Sequence, residues 1–224
     1  MNVRVLVLLV CLAMAGIYSC KKGDDSVPTS STLTTSLNVV NTTTDTLNFY
    51  LNGSRVNTTS SLYPFGYTGY LPVPFEDQNY QFKRPRSSDV LFNLQLALDT
   101  NKVYSVYIAG ENADDTFTTR DTLIADTASR PKIRFVNASP GSGNLNVVIN
   151  DTLRFSTRAY KTTTVFIPIS AGIKHVQIYN TGSTVALSDT SRTFIAGRQY
   201  TLFAKGRITG TGGQKFGTGL VVNR

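Results

Sequence analysis

One histidine, two cysteines, two glutamates and no tryptophan occur in the 224 residues. A lone His175, set between Lys174 and Val176 in an alternating stretch, gives no basis for a His-based metal cluster or a Ser-His-Asp triad. It reads as a half-exposed strand residue. Paired carboxylates are almost as scarce: Glu76-Asp77 and Asp114-Asp115 sit in turns, where neighbouring acids diverge instead of facing a cleft. The glycine-rich run Gly210 to Gly217 lacks the Gly-Lys-Ser/Thr step and following helix of a phosphate loop, and is expected to be a flexible hairpin. After residue 19 no apolar period of helix length occurs, and no run is long enough to span a bilayer. No enzyme, cofactor or metal is expected.

What is present begins with a leader. Arg4 precedes the apolar run Val5 to Gly16, which has the length of a signal core. Ile17-Tyr18-Ser19-Cys20 then resembles a bacterial lipobox, with Cys20 as the lipidated first residue of the mature chain. Cleavage there removes Cys11, so the one cysteine kept carries lipid and no disulfide forms. The expected division is a signal peptide over 1–19 and a lipidated, flexible linker over 20–36. The linker's Lys21-Lys22-Gly23-Asp24-Asp25 is similar to the surface-export tract of Bacteroidetes-type lipoproteins. An acylated cysteine anchors without a transmembrane helix, so the expected address is the outer membrane, facing outward, with a periplasm-facing orientation as the alternative. The formal charge of +8 would suit nucleic acid, but that compartment argues against it. The charge reads as dispersed, densest at Lys83-Arg84-Pro85-Arg86.

The rest of the chain is a duplication. Val136-Asn137 follows Val40-Asn41 by 96 positions, and Tyr200 to Gly206 follows Tyr104 to Gly110 by the same 96. Two domains are expected, over 37–127 and 131–224. In the first, strands are read at Leu37–Val40, Leu47–Leu51, Tyr67–Val73, Tyr80–Lys83, Val90–Leu98, Val103–Ile108 and Leu123–Ala125. Asn52-Gly53 is a hairpin signal, and Pro72 and Pro74 place their strand's end at a sheet edge. Val176 and Ile178 match Tyr80 and Phe82, so the inward parity is kept. About seven short strands per unit imply an all-β fold of two tandem immunoglobulin-like, Greek-key antiparallel sandwiches. The short linker, with Pro131, predicts domains set end to end with limited hinge freedom.

Arg134-Phe135-Val136-Asn137-Ala138-Ser139-Pro140, Asn146 to Asn150, Val165 to Gly172 and His175 to Ile178 resemble a bacterial domain family of unknown function. That family often occurs as tandem immunoglobulin-like sandwiches in Bacteroidetes lipoproteins. The resemblance rests on turn chemistry, so it implies a fold and no activity.

Candidate sites follow from where the two units differ. Tyr63, Phe65 and Tyr67 align with Ala159, Lys161 and Thr163, which marks them, with basic Lys83, Arg84 and Arg86, as candidate ligand contacts able to stack on sugar rings. Tyr70 and Tyr80 align with Phe166 and Val176 and belong to the scaffold. Asp-Ser/Thr-aliphatic triplets, similar to the O-glycosylation sequon of Bacteroidetes, mark Ser26, Thr46, Thr122, Thr127 and Thr152. The expected role is a non-catalytic surface lipoprotein with a structural, adhesive or binding function. Its partners would be the membrane through the lipid and a glycan or envelope protein, with no nucleic acid. A glycan-binding accessory of polysaccharide uptake is the alternative, and a fimbrial-type subunit a third.

Overall fold

In the computed structural model, residues 34–224 are described. The leader, Cys20 and residues 21–33 of the tether, Ser26 among them, lie outside the described residues.

Alternation builds the first sandwich. Leu37 and Val39 of β1 (Thr34–Asn41), Phe49 of β2 (Asn48–Leu51), Tyr80 and Phe82 of β5 (Glu76–Lys83), and Phe92, Leu94, Leu96 and Leu98 of β6 (Phe92–Leu98) meet in one buried cluster. Tyr104, Val106 and Ile108 of β7 (Val103–Ile108) close it. The remaining strands are the short β3 (Ser54–Arg55), β4 (Leu71–Pro74) and β8 (Thr116–Arg120). One sheet runs β4-β1-β7-β8 and the other β3-β2-β5-β6. All pairs are antiparallel except β1 with β7. β4, with its two prolines, is an edge strand as read.

The second sandwich repeats the order. Its strands are β9 (Lys132–Asn137), β10 (Leu145–Ile149), β11 (Thr152–Arg158), β12 (Ile167–Pro168), β13 (Gly172–Asn180), β14 (Ala186–Phe194), β15 (Gln199–Lys205) and β16 (Gly217–Val222). The sheets run β12-β9-β15-β16 and β11-β10-β13-β14, with β9 and β15 as the parallel pair. Leu37 faces Tyr104 in one repeat and Ile133 faces Tyr200 in the other, so the offset of 96 holds in three dimensions. The fold is all-β, with two sandwiches of two four-stranded sheets each.

Three expectations change. The first strand starts at Thr34, inside the stretch read as linker. The last strand of the first repeat is Thr116–Arg120, while Leu123-Ile124-Ala125 is irregular chain tied to the second repeat. There Lys132 Nζ donates to the Ile124 carbonyl at 2.9 Å and Arg224 to that of Leu123 at 3.1 Å. The sandwiches are not end to end. Val40 and Tyr107 of one meet Val136, Phe203 and Val221 of the other in a third buried cluster. The sheets carrying the parallel pairs therefore face each other, and β1, β7, β9 and β15 are covered on both sides. This explains their near-continuous burial, five residues in a row in β7 and in β9.

Candidate functional site

The interface between the repeats joins its apolar cluster to a buried polar network. By alternation, Asn38 and Ser105 point away from the first core, and Arg134 and Thr201 point away from the second. Arg134 is 2% exposed. It meets Asp121 at 2.7 Å, donates through Nε to Thr201 Oγ1 at 2.8 Å and stacks over the Phe166 ring at 4.7 Å. Asp121 also accepts from Tyr70, Ser105 and Thr119. Asn223 accepts from Thr201 at 2.6 Å and donates to Tyr70 Oη at 2.8 Å, which closes the ring of contacts. Burial and the neighbouring Asp121 carboxylate raise the Tyr70 hydroxyl well above the ordinary tyrosine value. A buried ion pair is tolerable when its charged groups are bonded, as those of Asp121 and Arg134 are here, and costly when one partner is removed.

The pair is asymmetric on a symmetric frame. Asn38 stands where the second repeat has Arg134, and Asn223, at the end of β16, corresponds to Asp121 at the end of β8. Each repeat contributes one member of the ion pair and an asparagine at the other position.

At one end of this interface lies an open cleft of about 420 Å³. The first repeat lines it with the Thr42 to Asp45 turn, Phe65 and the Ala109 to Asn112 loop with Asp115. The second lines it with Pro140, Gly206, Arg207, Gly213 and Gln214. The Asp115 side chain folds onto Gly110, where an added Cβ would sit 2.2 Å from Asp115 Oδ2 and displace that carboxylate from the cleft wall. Gly213 packs against Thr44 of the other repeat, 3.0 Å from where its Cβ would be. Arg84 bonds Asp45 at 2.7 Å and Glu111 at 3.3 Å, and so fixes the acidic wall. The lining offers carboxylates, threonine hydroxyls, an amide, a guanidinium and one aromatic ring.

The candidate residues named from sequence divide. Phe65 lines the cleft, and Lys205 of the second repeat lies over its ring at 3.2 Å. Its φ of 62° is left-handed, but Lys161 at the equivalent position has the same 62°, so the strained turn belongs to the scaffold. Lys161 reaches across the other way, to the Asp114 carbonyl. Tyr67 accepts from the Val222 amide at 3.5 Å. Tyr63 alone of the three stands free, 63% exposed. Arg84 borders the cleft, Lys83 lies over Tyr50 at 5.1 Å, and Arg86 is exposed with a φ of 64°. Thr122, Thr127 and Thr152 are exposed, and Thr46 is half-buried. His175 is on the outer face of β13, bonded to Asp189. The Gly210 to Gly217 run is a turn built on a short 3₁₀ segment, Gly212–Gln214, and not a plain hairpin.

Sequence reading missed Asp121, Arg134 and the cleft residues Glu111, Asp115, Arg207 and Gln214. The signal for Arg134 was available: a charged residue inside an otherwise apolar first strand, aligned with a neutral Asn38. Charge itself was also misread as dispersed. Residues 131–224 hold twelve Lys and Arg against two acids, Asp151 and Asp189, whereas residues 37–127 hold six against ten.

The profile of the family described as "Domain of unknown function (DUF4397)" matches residues 35–148 and 131–218. No curated protein matches the chain in sequence. Among solved structures, one reported under alpha-glucan recognition by family 41 carbohydrate-binding modules from streptococcal virulence factors is 14% identical. It aligns over 75% of this chain and 92% of its own, with a TM-score of 0.27, too low to support any inference. Two matches that between them span both sandwiches settle the kinship: the chain belongs to the DUF4397 family.

Proposed function

We propose that the chain is a non-catalytic binding protein, lipidated at Cys20 and held on the outer membrane, that takes its ligand in the cleft between its repeats. The observation that supports this is convergence. Three loops that differ between the repeats reach one place: Phe65 lines the cleft, Arg84 braces two of its acids, and Gly213 and Gln214 form its far wall. Shared scaffold explains what the repeats have in common, and a ligand would explain why these three loops meet.

The chemistry favours a hydroxyl-rich ligand. Carboxylates, an amide and a guanidinium beside an aromatic ring suit the alternating hydroxyls and apolar faces of a sugar, which supports the glycan-binding alternative. Binding of the intact protein to a broad glycan panel tests it. Retention that is lost in Phe65→Ala and in Glu111→Ala is expected, and no retention on any glycan would remove the glycan reading. Mass spectrometry of the membrane-extracted protein tests the anchor. A diacylated or triacylated Cys20 at the N-terminus is expected, and a chain that retains Arg4 would refute it.

A further inference from the structure

Away from the cleft, the second sandwich has a side that the first does not. Positions 92, 94, 96 and 98 of β6 are Phe, Leu, Leu and Leu, all buried against the first core. The equivalent positions of β14 are Ser188, Thr190, Arg192 and Phe194, of which only Phe194 is buried. β14 and β16 are the edge strands of the two facing sheets on one side of this sandwich and lie against each other. The apolar filling that shuts the first sandwich is here replaced by hydroxyls and a guanidinium.

The charges of this seam point to an anion. Lys174 and Arg192 are direct cross-strand partners, and like charges in that relation destabilise a sheet. Neither forms an ion pair with a carboxylate among the described residues. The two acids of this repeat lie elsewhere, Asp189 on the opposite face with His175 and Gln177, and Asp151 in the β10–β11 turn. Finally, Arg192 Nε, Thr190 Oγ1 and Thr218 Oγ1 are buried from solvent and bond to no protein group. Those three atoms are too closed in for a ligand to reach, so the part of the seam complementary to a carboxylate flanked by a hydroxyl is the pair of uncompensated cations, Lys174 and Arg192, with Ser188 beside them.

We infer that the β14–β16 seam of the second repeat is a binding site for acidic polysaccharide, with Arg192 and Lys174 taking the uronate carboxylate and Ser188 a neighbouring sugar hydroxyl. Nucleic acid fits less well, since β14 and β16 carry no exposed aromatic on which a base could stack. The twelve-to-two excess of basic residues in 131–224 would draw a polyanion towards this repeat. The site is independent of the cleft ligand.

Affinity electrophoresis of the full chain in gels containing polygalacturonate, dextran or single-stranded DNA tests the site. Polygalacturonate is expected to retard the protein, and dextran is not. The Lys174→Gln/Arg192→Gln variant should bind polygalacturonate at least about tenfold more weakly, while Arg154→Gln, an exposed base on the other face of β11, should bind like the wild type. Thr190→Leu/Arg192→Leu, which restores the first repeat's filling, should lose retention while its melting temperature holds or rises, which separates loss of the site from loss of the fold. Retention unchanged in the Lys174/Arg192 variant would overturn the assignment. So would equal retention by dextran, or DNA binding as tight as polygalacturonate and equally weakened by Arg154→Gln.

Discussion

The two repeats share strand order, register and even the strained turn at Phe65 and Lys161, yet they finish their sandwiches differently. The first closes its β6 edge with Phe92, Leu94, Leu96 and Leu98, and the second leaves Ser188, Thr190 and Arg192 at the same positions. The first is acidic and the second strongly basic. At the interface the first supplies the buried anion Asp121 and the second the buried cation Arg134. What duplication preserved is backbone geometry. What diverged is charge and the polarity of edges, which a sandwich tolerates because its central strands carry most of the core.

The largest difference between equivalent positions lies at the interface. Arg134→Ala strands a buried carboxylate, and a loss of about 3–5 kcal/mol is expected in denaturant unfolding. Asn38→Ala, at the equivalent position of the first repeat, removes no charge and should cost far less. Next in size is Leu96→Arg, which writes the second repeat's seam into the first. A guanidinium among Phe92, Leu94 and Leu98 should cost about 3 kcal/mol. The opposite exchange, Thr190→Leu/Arg192→Leu, should stabilise by about 1 kcal/mol, since it relieves a like-charge pair and buries apolar surface.

Two titrations are finer. Burial pushes Tyr80 up to about 12, so its contribution to stability is complete below the ordinary value of 10 and is lost as pH rises towards 12. Val176 at the matching position cannot ionise, so an alkaline loss of stability should be reduced in Tyr80→Phe. In the linker, the hydrogen bond from Arg130, joined by the Arg130 and Ala128 amides, lowers Asp126 to about 2. The turn it caps should therefore persist above the ordinary carboxylate value of 3.8 and loosen only as pH falls towards 2. Carbon-detected NMR of the Asp126 carboxyl would report the midpoint.

Much of the fold was legible because strand parity and turn chemistry are local. Asn52-Gly53 marked its hairpin, the Pro72 and Pro74 pair marked an edge, and Tyr80 and Phe82 fixed an inward face. The error at Leu123 to Ala125 arose because an apolar triplet was read as a strand, whereas Thr116 and Thr119 of the true strand are buried without being apolar. The interface was illegible for a related reason. Strands covered on both faces lose their alternation, and the run Ile133 to Val136 gives no sign of which neighbour covers its second face. The loops that reach the cleft were visible as differences, but their meeting depends on sheet-on-sheet packing between repeats, which no local pattern encodes. The seam was missed because inward positions were matched for Val176 and Ile178 and not carried on to Thr190 and Arg192.

Face-to-face packing of the two sandwiches, with Asp121 and Arg134 buried between them, should make them one cooperative body. The absence of tryptophan provides clean probes, since Tyr50→Trp reports the first repeat and Tyr179→Trp the second. Equilibrium unfolding of the two single-tryptophan proteins, each compared with circular dichroism, tests the claim directly. Coincident transitions in both are predicted. Two separated transitions, one for each tryptophan, would contradict it.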